Sequence, residues 1–351
     1  MTHSETEIRK LLNERILILD GAMGTEIQGL KLDASDFHGQ EFAGFDQDLT
    51  GNNDILNLTA PDLIRDIHIS FLKAGTDIIT TNTFNATSIS QSDYGIESYV
   101  DRINQEGARL AKETCYDFTS RDGKPRWVAG AIGPTNKTTS ISPDVNDPGF
   151  RGVNFDMMKD ACKDAAKALL AGGVDLFLVE TIFDTLNAKA CIFALSELFE
   201  ETGESRPIMI SGTITDASGR TLTGQTPEAF WNSIRHANPF TVGLNCSFGA
   251  RDMRPHLADL ARIADTFICA YPNAGLPNAF GEYDEDAMVT ATYMREWAES
   301  GLVNIVGGCC GTTPLHIEAI ASALEGLPPR PIPTQPLAMR LSGLEPFTIP
   351  S

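Results

Sequence analysis

The feature that most constrains this chain is a rhythm. Short apolar runs alternate with helix-spaced segments from residue 15 to residue 324. The runs fall at 15–20, 77–82, 127–132, 175–180, 207–211, 241–245, 266–270 and 302–306. Such continuous apolar runs are what strands buried on both faces of a parallel sheet look like. The segments between them (60–74, 97–118, 156–170, 184–201, 227–237, 251–264, 285–300 and 315–324) have helical spacing, and a short amphipathic helix at 5–13 precedes the first strand. Eight βα units in succession predict an α/β fold of the (β/α)8 or TIM-barrel class.

Two details support a barrel over an open sheet. Three helix-to-strand joins look alike: Ala74-Gly75-Thr76-Asp77, Gly172-Gly173-Val174-Asp175 and Ser300-Gly301-Leu302-Val303-Asn304. These glycine-capped joins are short, whereas the long connections, roughly 26–59, 134–153, 212–226 and 272–284, all follow strands. In a barrel those insertions share the face where active sites are built. An open dinucleotide-binding sheet would carry a three-glycine fingerprint after its first strand, and Asp20-Gly21-Ala22-Met23-Gly24-Thr25 lacks it.

The 351 residues divide into a barrel over 1–326 and a tail over 327–351. Pro328, Pro329, Pro331, Pro333 and Pro336 predict an extended, semi-rigid linker, with residues 340–351 forming no element. Net charge is −20, from 47 acidic against 27 Lys and Arg residues, so nucleic acid and anionic membrane are unsuitable partners. No apolar run is long enough to span a bilayer, and the start of the chain has no secretory pattern. Seven scattered cysteines fit a reduced, cytoplasmic protein better than a disulfide scaffold.

Chemistry concentrates at strand ends. Gly307-Gly308-Cys309-Cys310-Gly311-Thr312 follows the eighth strand, and Thr313 and Pro314 then read as the cap and first residue of the last helix. Adjacent cysteines rarely bond to each other, because the small ring strains the disulfide. A soft metal held by both is the better reading, with Cys246, at the end of the sixth strand, as the third ligand. Three thiolates suit Zn²⁺ and leave one tetrahedral position open, as a catalytic site needs. The plainer reading, small buried hydrophobes, fits Cys115, Cys162, Cys191 and Cys269, which lie inside helices or a strand. A phosphate cradle at Gly307-Gly308 is the other alternative, although such a site gains nothing from two thiols. Asp20 and Glu180 close the first and fourth strands, as acid–base groups, as ammonium ligands or as loop caps. Asn82, Thr135, Asn136, Thr181 and Asn273 share that face. None of the six histidines falls at a strand end.

Asp20-Gly21-Ala22-Met23-Gly24-Thr25, Glu180-Thr181, Gly243-Leu244-Asn245-Cys246 and the Cys309-Cys310 segment together resemble the homocysteine S-methyltransferase family over roughly residues 8–326. Within it, the chain is most similar to the N-terminal homocysteine-binding module of cobalamin-dependent methionine synthases. Four further segments carry that likeness: 51–54, 141–148, 213–220 and 273–277. The ending 341–346 looks like the lead-in to a folate-binding module.

The resemblance implies Zn²⁺ on Cys246, Cys309 and Cys310, which are then also the catalytic residues. It implies L-homocysteine held by Asp20, Glu180 and Asn273 with backbone N–H groups of Gly21, Ala22, Met23, Gly24 and Thr25. It also implies methylcobalamin and methyltetrahydrofolate on further folate-, cobalamin- and reactivation-type modules of the same polypeptide. A free thiol is mostly protonated at pH 7, and binding to Zn²⁺ removes its proton, leaving a nucleophile for an activated methyl group. Two rivals remain: a stand-alone methyltransferase using a small sulfonium or ammonium donor, and a redox or zinc-storage protein using the paired thiols.

Overall fold

The computed structural model describes residues 3–350. Its sheet has eight parallel strands: β1 (Leu17–Ile18), β2 (Ile78–Thr80), β3 (Trp127–Ile132), β4 (Leu176–Ile182), β5 (Ile208–Gly212), β6 (Thr241–Gly249), β7 (Phe267–Asn273) and β8 (Ile305–Val306). Each pairs with its neighbours in sequence, and β1 pairs with β8. A single bridge between Leu19 and Ile78 joins β1 to β2 and closes the ring. One long helix follows each strand, from Pro61–Lys73 after β1 to Pro314–Leu324 after β8. This is the expected (β/α)8 barrel.

Period-two alternation sorts the strand side chains into two cores. Ile18, Val128, Phe177, Ile210, Val242, Ile268 and Val306 face the helices. Leu17, Leu19, Ala129, Leu178, Met209, Cys269 and Ile305 fill the barrel, and Ile8 and Leu12 of the first helix, His3–Leu12, plug its lower end. Gly243 belongs to the inward row. A Cβ there would overlap the Cys269 carbonyl, so β6 and β7 approach as closely as they do only with glycine.

The three similar helix-to-strand joins have one cause. Gly75, Gly173 and Gly301 take left-handed backbone. Two or three residues on, a polar side chain accepts the neighbouring strand's amide: Asp77 from Ile18 N at 2.9 Å, Asp175 from Val128 N at 3.0 Å and Asn304 from Ile268 N at 2.8 Å. Arg15 and Lys112 neutralise the two acids.

Two elements depart from the sequence reading. Residues 23–29 form a short helix rather than a loop. The tail is also more ordered than a linker. Ala338–Ser342 (β9) and Pro346–Pro350 (β10) form an antiparallel hairpin, of which the final Ser351 lies outside the described residues. Prolines are admitted there because both strands are edges. Ser342 and Gly343 bond to Gln225, Ser233 and the Ala229 carbonyl, seating the hairpin on the helix Pro227–Ile234.

Upstream, Arg330 is buried without a carboxylate. Its guanidinium donates to the carbonyls of Ala261, Ala264 and Thr266 at 2.6–3.1 Å. Two of these belong to the carboxyl end of the helix Ala250–Ile263, where a cation is favoured. Arg330→Ala should therefore lower unfolding free energy by about 3 kcal/mol, by stranding three buried carbonyls. Arg330→Lys should recover less than half of the loss, since one ammonium cannot span them. Urea denaturation measures both.

Candidate metal and substrate site

All strand carboxyl ends meet at one mouth, and the sulfurs of Cys246, Cys309 and Cys310 meet there within 4.8 Å of one another. Cys246 and Cys310 lie 3.8 Å apart. Sulfurs sharing a tetrahedral zinc at about 2.3 Å would be about 3.8 Å apart, so the trio fits that ion. The two vicinal cysteines are fixed by backbone bonds to the adjacent loops. Cys309 N donates to Pro272 O at 2.8 Å, Ala274 N to Cys310 O at 2.9 Å and Gly308 N to Asp20 O at 3.0 Å. Gly311 N donates to Thr25 Oγ1 at 2.9 Å, and Gly311 turns the chain with φ +80°. Cys115, Cys162, Cys191 and Cys269 are buried outside the trio.

Cys246 owes its position to a bulge. The β6–β7 register shifts between Asn245 and Gly249, and Cys246 and Ser247 both take left-handed backbone. A second bulge interrupts β4 between Val179 and Ile182, with Thr181 at φ +56°. Bulges re-aim side chains at barrel rims. These two redirect a thiol and a carboxylate.

Metal-free, the trio shares its protons unevenly. Hydrogen bonds from the Cys246 and Cys309 thiols, with a further one from Tyr283, lower Cys310 to about 3. Cys309 is pushed up by its hydrogen bonds with Cys246 and Cys310.

The acids behave differently. Burial raises Asp20 to about 8, against the lowering effect of bonds from Thr80 N at 2.8 Å and Thr80 Oγ1. These bonds cross to β2, so Asp20 does not cap its own turn. Burial likewise raises Glu180 to about 7, although Tyr271 donates its hydroxyl to Glu180 Oε2 at 3.0 Å. Asn273 is buried at the end of β7, and its Oδ1 has no partner. A buried orphan acceptor at the same barrel mouth as two desolvated acids suits an ammonium group.

The rest of the expected set divides. Gly21 and Ala22 lead into the helix Met23–Gly29, which has no side-chain cap, so Met23, Gly24 and Thr25 offer first-turn N–H groups. Asn82, Thr135 and Asn136 hold loops, by bonding Asn53, Lys137 and Asp93 respectively. Sequence reasoning assigned nothing to Tyr271 or Tyr283 and gave Asn245 no role. The inward row of β7, Phe267, Cys269, Tyr271, could have shown the first of these.

The fold and site define a barrel that gathers three thiols and two buried acids at its mouth. Residues 17–324 match the family described as homocysteine S-methyltransferase, and the chain belongs to that family. In structure it is similar to the homocysteine methyltransferase MmuM from Escherichia coli. For the metallated form the identity is 21%, with 90% of this chain and 99% of that chain covered at a TM-score of 0.70. For the apo form the identity is 20%, with coverage of 88% and 96% and a TM-score of 0.62. A methyltransferase from Methanosarcina mazei is more distant, at 8% identity, coverage of 92% and 98% and a TM-score of 0.50. Among the described residues, no helix is long and apolar enough to cross a membrane.

Cys310→Ala should abolish tight zinc binding while leaving the fold intact, because the ligands stand above the packed barrel; Cys269→Ala should leave zinc content unchanged. Metal analysis after dialysis decides both.

The raised acids carry a stability signature. Asp20 and Glu180 are neutral in the folded chain where the unfolded chain ionises near pH 4. Folding therefore takes up protons, and this contribution is complete below about pH 4 and declines as pH rises to about 7–8. The metal-free protein should lose stability between pH 5 and 7, with the lowered Cys310 thiol offsetting part of the loss, and Asp20→Asn with Glu180→Gln should remove the decline. A profile equally steep in the double variant would contradict it.

Proposed function

We propose that the chain binds L-homocysteine as a thiolate on zinc and methylates it to L-methionine. The meeting of Cys246, Cys309 and Cys310, in a chain of this family, carries the reading. Zinc would supply a bound sulfur that is deprotonated and still nucleophilic at neutral pH. Three anionic ligands would keep that sulfur electron-rich, where nitrogen or water ligands would favour hydrolysis. Glu180 and Asp20 would receive the substrate's ammonium group, Asn273 Oδ1 would accept from it, and the first-turn N–H groups of Met23, Gly24 and Thr25 would face its carboxylate.

Two donors are in question. The barrel spans 99% of a solved homocysteine methyltransferase of the same fold, which supports a stand-alone reaction with a small sulfonium or ammonium donor. One observation favours the second reading, in which methyltetrahydrofolate and methylcobalamin act on further modules beyond a 1–326 barrel. Met339, Leu341, Phe347 and Ile349 lie exposed on one face of the tail hairpin. Methionine formation from a small sulfonium, set against free methylcobalamin, separates the two.

Homocysteine binding to the zinc-loaded protein should release close to one proton from the thiol at pH 7, plus a fraction from Glu180 as the ammonium arrives. Glu180→Gln should remove that fraction and weaken binding about ten-fold while zinc stays bound. Calorimetry in two buffers of different ionisation enthalpy reads the protons. Binding without buffer dependence would mean that the thiol stays protonated.

A further inference from the structure

We infer that Asn245 is the positioning residue that joins the two halves of this site. It would hold Thr181 in its left-handed turn so that Glu180 faces the mouth, and at the same time brace Cys309. The inference rests on the reading of Glu180 and the cysteines just given.

Thr181 is the place to begin. A β-branched residue at φ +56° is unfavourable by itself and persists only where its surroundings over-determine it. The surroundings here are one side chain. Asn245 Oδ1 accepts from Thr181 N at 3.1 Å, and Asn245 Nδ2 donates to Thr181 Oγ1 at 2.8 Å. A two-bond clamp of this kind fixes both the backbone and the χ1 of Thr181. Because Glu180 is the preceding residue, the clamp also sets the direction of its carboxyl group.

The remaining capacity of the amide is also used. The Thr181 N–H fixes which end of the amide is oxygen, and Ser211 Oγ then donates to the same Oδ1 at 2.7 Å. Asn245 Nδ2 also reaches Cys309 Sγ at 4.0 Å. Two donors and two lone pairs are therefore all engaged, in a side chain with no exposure. Aspartate would keep the acceptors and lose both donors; leucine would lose everything. Asn245 thus bonds the residue next to Glu180 through both ends of its amide and reaches Cys309 through Nδ2. It is also the last residue before the bulge that re-aims Cys246.

The test uses zinc-loaded protein and homocysteine calorimetry. Asn245→Ala should weaken homocysteine binding about ten-fold with zinc retained. Thr181→Gly alone should change it less than about three-fold, since glycine takes this φ freely. The double variant should recover part of the Asn245→Ala loss, which a general packing defect would not allow. In cobalt-loaded protein, Asn245→Asp should shift the thiolate-to-metal absorption band by removing the donor to Cys309. If Asn245→Ala does not fold, Ser211→Ala, which removes the hydroxyl that braces the amide, should still weaken binding about two- to three-fold, and more than Tyr271→Phe does.

Wild-type protein that fails to bind homocysteine would sink the underlying reading. Wild-type binding, weakened by Glu180→Gln but unchanged in Asn245→Ala or, where that variant does not fold, in Ser211→Ala, would overturn this inference alone. So would a double variant no tighter than Asn245→Ala.

Discussion

Everything functional in this molecule depends on how its parallel strands stop. Inside the barrel the hydrogen-bond ladder dictates direction, and each strand's inward row is apolar. At the carboxyl ends that ladder runs out, and β4 and β6 break register. Left-handed backbone at Thr181, Cys246 and Ser247 follows. Each such residue costs about 1–3 kcal/mol in isolation. Side chains one layer below the mouth offset part of it: Asn245, braced by Ser211, bonds Thr181, and Thr213 bonds Ser247, while Tyr271 bonds Glu180. The polar layer is thus both the floor of the site and the support of its strained rim.

The electrostatics of the mouth follow from that burial. Three thiols and two carboxyls stand in a region that water cannot solvate well, and burial raises both carboxyls while the neighbouring thiols favour the charge on Cys310. Full ionisation requires positive charge brought from outside. A divalent metal and an ammonium group would supply it at the two ends of one small molecule.

The sequence makes the large-scale order legible because the order is periodic. Strand and helix alternation, the recurring glycine joins and the strand-end position of the three cysteines all repeat on scales that a reader can count. The losses are local. Residues 23–29 look like a glycine loop because Gly24 and Gly29 hide a single helical turn or two. The tail hairpin is masked by its prolines, although Met339 with Leu341 and Phe347 with Ile349 alternate as strands do. Tyr271 passes for one more apolar residue until the inward register of β7 is known. Nothing in the residue type announces the backbone at Thr181; a threonine there argues against a left-handed turn, and only the partner across the barrel overrides that preference.

The seam between β1 and β2 differs from every other junction in the barrel. Seven neighbouring pairs share a run of ladder bonds, while this one has a single bridge, with the carboxylates of Asp20 and Asp77 stitched across its two ends. The barrel is mechanically a split ring with a clasp. Local opening is cheapest where the fewest backbone bonds must break. The clasp also carries Gly308, bonded to the carbonyl of Asp20, and so leads directly to the paired cysteines. Breathing of the ring would therefore be felt first at the metal-binding loop, and the loop's own bonds would in turn set how far the ring can spread.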